Sequence, residues 1–116
     1  MNRSEEMVKL IYKAMDDKKA EDIKIIDIAD VSTIADYFII CSGANSSQME
    51  AIIDNITDTL GRAGYETKRT EGGRTSSWIL MDYGDVVVHI FSKEDRLFYD
   101  LERIWRDGKM VAIESL

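Results

Sequence analysis

Trp78-Ile79-Leu80-Met81-Asp82-Tyr83-Gly84-Asp85-Val86-Val87-Val88-His89-Ile90-Phe91 decides how the rest of this chain is read. Two runs rich in β-branched and aromatic residues flank a short Asp-Tyr-Gly-Asp break, the composition and spacing of a β-hairpin. With a two-residue turn at Tyr83-Gly84, Asp82 faces Asp85, Leu80 faces Val87 and Trp78 faces His89. One face then carries Ile79, Met81, Val86, Val88 and Ile90, all apolar. The other mixes Trp78, Leu80, Asp82, Asp85, Val87, His89 and Phe91. A one-residue slip would turn every side chain over, so the apolar set specifies which face is buried. A three-residue turn ending in a left-handed Gly84 is the rival, because Tyr83 is a poor choice for positive φ. The two-residue register is preferred for its clean apolar separation, and the mixed face is the first candidate site.

Outward from the hairpin, helical and strand periods alternate. Met7, Leu10, Ile11, Ala14 and Met15 recur at three- and four-residue spacing, predicting a helix over 2–18. Ser4 or Asn2 is expected to cap it, with Lys18 and Lys19 at its negative end. A strand follows over 22–28, then an apolar run over 36–42 that reads as a central strand covered on both faces. Ser47 and Glu50 have capping-box spacing for a second helix, whose buried face is Met49, Ile52, Ile53, Ile56 and Leu60 and whose end is Gly61 and Gly64. Residues 65–70 read as a polar edge strand. Ser92 opens a last helix with Leu97, Phe98, Leu101, Ile104 and Trp105 on its apolar side. The segment 109–116 receives no assignment. The sum is an α/β fold, a mixed sheet flanked by helices.

At 116 residues the chain reads as one domain, able to bury roughly two-thirds of its unfolded surface. Hydrophobic residues at 45% and charged residues at 32% favour a folded domain over disorder. The net charge of −7 argues against broad nucleic-acid or anionic-membrane binding and suits a basic protein partner. A single cysteine, Cys41, excludes an internal disulfide and reads as a small core residue. No secretory signal or membrane span is recognisable, so a cytoplasmic setting is expected.

Catalytic chemistry has little support. His89 is the one histidine, and no metal-ligand spacing surrounds it, so no metal is expected. Asp82 and Asp85 alone do not define a general acid–base pair. The Ser42-Gly43-Ala44-Asn45-Ser46 loop could offer backbone amides to a phosphate, but neither a Walker pattern nor a three-glycine dinucleotide loop is present. On the last helix Arg96, Tyr99 and Arg103 are neighbours by spacing, either a solvated face or part of a binding patch.

Four segments together carry a specific resemblance: Asp36-Tyr37-Phe38-Ile39-Ile40-Cys41-Ser42-Gly43, Glu71-Gly72, the hairpin 78–91, and Arg96-Leu97-Phe98-Tyr99-Asp100-Leu101-Glu102-Arg103-Ile104-Trp105. In order and spacing they resemble the Iojap-like ribosomal silencing factors, the RsfS family, across nearly the whole chain from the first helix to Trp105, which implies a single domain of that kind over 1–116. The resemblance implies a nucleotidyltransferase-like mixed-sheet domain without the catalytic motif. Those enzymes need Gly-Ser followed by paired strand carboxylates, whereas here Ser42-Gly43 has no Asp-x-Asp after it. It implies no cofactor and no enzymatic activity. It further implies binding to the large ribosomal subunit through a basic ribosomal protein, the fourteenth in bacterial numbering, which blocks joining of the subunits and represses translation under nutrient limitation. A homodimer is expected for the free factor. Within that frame Trp78 and Leu80 are apolar anchors, Glu71 and Asp82 acceptors for partner Lys or Arg, and His89, Arg96 and Tyr99 extend the patch. The alternative is a nucleotide-binding or nucleotidyltransferase-like enzyme.

Overall fold

The computed structural model describes residues 3–30, 33, 35–72, 78–93 and 108–116. In chain order these form α1 (Arg3–Asp17), β1 (Glu21–Asp27), β2 (Tyr37–Gly43), α2 (Ser46–Arg62), β3 (Arg69–Glu71), β4 (Trp78–Asp82), β5 (Val86–Ser92), β6 (Lys109–Val111) and a short 3-10 turn at Ile113–Ser115. The strands lie in the order β3-β4-β5-β2-β1-β6. Only β2 and β5 run parallel, and the other neighbours are antiparallel, so the sheet is mixed as expected. The segment 109–116, left unassigned from sequence, supplies β6 along β1.

Both helices lie on one face. The stripe read from α1 is buried, with Met7, Val8, Ile11, Ala14 and Met15 packed with Met49, Ile52, Ile56 and Leu60 of α2. They close over Ile25, Ile39, Cys41, Ile79, Met81, Val86, Val88 and Ile90 of the sheet. Each fully buried aliphatic side chain here contributes roughly 1.5–3 kcal/mol. The pleat sends the alternate residues to the opposite face, where Ile26, Ile28, Ala35, Ile40, Val87 and Phe91 form a second buried cluster with Phe38 and Leu80 against it.

The hairpin departs from the expected register. Trp78 pairs with Phe91, Leu80 with His89 and Asp82 with Val87, two residues from the expected partners. The loop is two residues long but is Gly84-Asp85, not Tyr83-Gly84. Gly84 takes the positive φ of 90°, and the Tyr83 amide donates to the Val86 carbonyl at 2.9 Å. A two-residue slide keeps every side chain on its face, so patterning could not separate the two registers. Turn chemistry decides: the slide gives glycine the left-handed position and sends Tyr83 into the core. Burial pushes the Tyr83 phenol up to about 12, opposed in part by a hydrogen bond with Thr57 of α2. Asp82 and Asp85 therefore do not face one another.

Two caps also differ. Asn45, not Ser47, caps α2, accepting from the Gln48 amide at 2.8 Å, while Gln48 Oε1 accepts from the Ala44 amide at 2.6 Å. Ser4 lies inside α1, and its buried hydroxyl donates to Asp36 Oδ2 at 2.7 Å, tying the helix to the entrance of β2. Strand β5 ends at Ser92, the expected cap of the last helix, and an extended backbone is what a capping residue has. The expected cap Asn2, the loop 73–77 and the last helix over 94–107 lie outside the described residues.

Candidate partner-binding site

The pairings of β3, β4, β5, β2 and β1 align the second face into rows. Glu71 opposes Leu80, Leu80 opposes His89, His89 opposes Ile40 and Ile40 opposes Lys24. On one side the neighbouring row runs Arg69, Asp82, Val87, Phe38 and Ile26. On the other it holds Trp78, Phe91 and Ser42. The expected site residues Glu71, Trp78, Leu80, Asp82 and His89 thus share one face of three adjacent strands. Arg96 and Tyr99 lie outside the described residues.

Burial divides these residues into different tasks. Trp78 is 40% exposed although it stands in a sheet face that is otherwise mostly buried. Its indole stacks on Phe91, with centroids 5.3 Å apart and planes at 21°, and on His89 at 5.9 Å and 28°. Phe38 meets the His89 ring edge-on at 4.8 Å and 74°. Offset and edge-to-face pairs of this kind add about 0.5–1.5 kcal/mol beyond their buried area. The platform beneath Trp78 is therefore a packed aromatic cluster drawn from β2 and β5.

His89 is only 5% exposed, so it lies beneath the surface and offers a partner almost no area. Its Nδ1 accepts from Trp78 Nε1 at 3.2 Å. An accepting Nδ1 carries no proton, so the neutral ring holds its proton on Nε2. That buried Nε2 has no hydrogen-bond partner among the described residues. Burial disfavours the imidazolium and lowers the pKa from 6.5 to about 4.

The two acids are not equivalent. Asp82 is half-buried, and its Oδ1 accepts from the Gly84 amide at 2.8 Å, an Asx turn that closes the hairpin. Glu71 is exposed at the sheet edge and pairs with Arg69 Nε at 3.5 Å. A solvated ion pair of this kind exchanges partners at little cost. Sequence reading missed Phe38 and Arg69 as neighbours of the site. The alternation of β2 marks Phe38 as facing away from Ile39, but its distance from His89 depends on the β2–β5 pairing.

The loop before α2 is poorly arranged for phosphate. The Ala44 and Gln48 amides are already bonded to Gln48 Oε1 and Asn45 Oδ1. Among the described residues no group of three His, Cys, Asp or Glu side chains is placed to hold a metal ion, and no helix is long and apolar enough to cross a membrane.

Comparison with known proteins gives a consistent result. The family model described as "Ribosomal silencing factor during starvation" matches residues 1–116. The chain is 40% identical over 113 residues to Ribosomal silencing factor RsfS of Halalkalibacterium halodurans, covering 97% of each. It is 41% identical over 108 residues to that of Bacillus subtilis, covering 93% of this chain and 92% of the relative. It is 33% identical to the chloroplastic protein Iojap of Zea mays, of which it covers 44%. Among solved structures, a Bacillus halodurans protein superposes with a TM-score of 0.82 at 38% identity, covering 92% of this chain and 97% of that one. A Chromobacterium violaceum protein superposes with a TM-score of 0.85 at 31% identity, covering 94% and 90%.

Proposed function

This chain belongs to the RsfS family of ribosomal silencing factors, and from that membership we propose that it represses translation as a non-enzymatic plug on the large ribosomal subunit. The observation that carries the reading onto particular residues is the exposure of Trp78 on an aromatic platform, beside Leu80 and the acidic edge residue Glu71. A large, pre-stacked aromatic group with a polar rim has the make-up of an interface hot spot. The chain's net charge of −7 suits a basic ribosomal protein and would speed encounter with it. We assign the fourteenth protein of the large subunit as that partner, with occlusion of the surface that meets the small subunit as the means of silencing.

On this reading Trp78 and Leu80 anchor the complex and Glu71 receives a partner Lys or Arg. Asp82 is committed first to its turn and His89 to the platform. Blocking requires occupancy and bulk, so no bond need be made or broken. The whole chain acts as one unit, in the cytoplasm, and the free factor is a homodimer, which light scattering over a concentration series checks.

Sedimentation of purified subunits with the protein tests the proposal. Comigration with the large subunit and fewer joined ribosomes are expected, whereas comigration with the small subunit alone would overturn it. Trp78→Ala should weaken binding by about 2 kcal/mol while the protein stays folded. Unchanged affinity in that variant would remove Trp78 from the interface. Turnover of a nucleoside triphosphate with magnesium would replace the reading with an enzymatic one.

A further inference from the structure

His89 carries chemistry that packing does not require. At a position 5% exposed, between Phe38 and Phe91, an aromatic hydrocarbon would fill the space without polar atoms. The imidazole brings an Nε2–H that is buried and unpaired among the described residues. Such a group lowers stability. What the imidazole supplies in return is one directional contact, Nδ1 accepting from Trp78 Nε1 at 3.2 Å. Local violations of good packing are expected where a residue serves function.

We propose that His89 is a positioning residue, whose Nδ1 holds the half-exposed Trp78 indole in a single orientation over the Phe91 ring so that it meets its partner already placed. The proposal rests on the reading of Trp78 as an anchor. Stacking on Phe91 is satisfied by either face of the indole, whereas an N–H···N bond fixes which edge of it points at His89. Losing that bond widens the range of orientations open to the indole, and binding would have to remove the added freedom. Holding the side chain beforehand lowers this cost, which is read mainly as slower dissociation. His89 thereby acts through Trp78 and does not touch the partner.

Nitrogen-15 spectra of the full chain test the contact directly. The Trp78 indole signal is separated from that of Trp105 by its loss in Trp78→Phe. It should be protected from solvent exchange, with His89 neutral and protonated on Nε2 near neutral pH. In His89→Phe the fold should persist while the indole loses its protection. That variant should leave the large subunit roughly three- to tenfold faster. His89→Asn, which returns an acceptor near the position of Nδ1, should recover part of both effects. An unprotected indole in the unsubstituted protein would overturn the contact whether or not any variant folds. Dissociation of His89→Phe at the native rate would overturn the positioning role. Should the unsubstituted protein fail to bind the large subunit, the proposed function fails and the purpose of the contact with it, a result read separately from the indole signal.

Discussion

Trp78 Nε1 donates to His89 Nδ1 although the two residues do not face one another, since Trp78 opposes Phe91 and His89 opposes Leu80. The contact is a diagonal one, within reach of aromatic side chains on adjacent antiparallel strands. It draws Trp78 over both His89 and Phe91 and leaves Leu80 to flank the stack. The exposed part of the tryptophan therefore projects from a base assembled by β2, β4 and β5, which are held against α1 and α2 from the other side.

The buried imidazole makes stability depend on pH with a definite sign. His89 takes up a proton near its ordinary pKa of 6.5 in the unfolded chain but only at about 4 in the fold. Its contribution is complete above the higher value and is lost as pH falls from there towards the lower one, because the unfolded state binds the proton first. The cumulative loss is about 3 kcal/mol. Unfolding free energies from denaturant titrations across that window should fall for the unsubstituted protein by this amount more than for His89→Phe. Parallel curves would show that His89 contributes no such linkage.

Reversing the charge of Glu71 should change encounter more than fold. Glu71 is exposed and its pairing with Arg69 contributes little to stability. Glu71→Lys is expected to slow association with the large subunit by roughly tenfold at low salt, with the difference shrinking as salt is added. Stopped-flow association rates across a salt series measure this. A defect of the same size at every salt concentration would mean that Glu71 contributes by packing and not by charge.

The legible parts of the fold are those fixed by periodicity. Met7, Ile11 and Met15 on α1, Ile52, Ile56 and Leu60 on α2, and the apolar face of β4 and β5 all follow from spacing, because burial acts on whole faces. The hairpin register was not legible from that signal, since a two-residue slide preserves faces; the glycine at position 84 carried the missing information. Asn45 outcompetes Ser47 as a cap through loop geometry, which spacing does not contain. Strand β6 is three residues of ordinary composition, defined only by its partner β1. For the site, Trp78, Leu80 and His89 could be placed on one face, but the depth of His89 and the engagement of Asp82 in its own turn depend on distances.

The end of α1 holds removable strain. Ala20 N donates to Met15 O at 3.0 Å and Lys19 N to Asp16 O at 2.9 Å, the closing pattern of a Schellman motif. Lys19 occupies the left-handed position with φ 59°, where a β-carbon is unfavourable. Lys19→Gly should therefore stabilise the protein by about 0.5–1 kcal/mol without altering binding. Chemical denaturation checks the stability and sedimentation the binding. A loss of stability would mean that the lysine side chain contributes more than its backbone conformation costs.

Gly72 couples the edge strand to the tryptophan. Its φ is 96°, and a β-carbon built there would lie 2.7 Å from the Trp78 carbonyl oxygen and 3.2 Å from Ile79 Cα. Both obstacles are backbone, so no side-chain rotation relieves them. Gly72→Ala must shift β3 away from β4, at a cost of about 2–3 kcal/mol from strain and lost pairing. The damage should stay local, because β3 is an exposed three-residue edge and the core formed by α1, α2, β2 and β5 does not rest on it. Amides of Arg69–Glu71 should then exchange with solvent faster while those of β5 keep their protection. Glu71 would leave its place opposite Leu80, so association with the large subunit should slow as it does in Glu71→Lys, though without reversal of charge. Hydrogen exchange followed by binding kinetics on the same variant separates the two effects. Native protection across β3 would show that the edge accommodates the extra carbon, and native association kinetics with β3 displaced would remove Glu71 from the encounter surface.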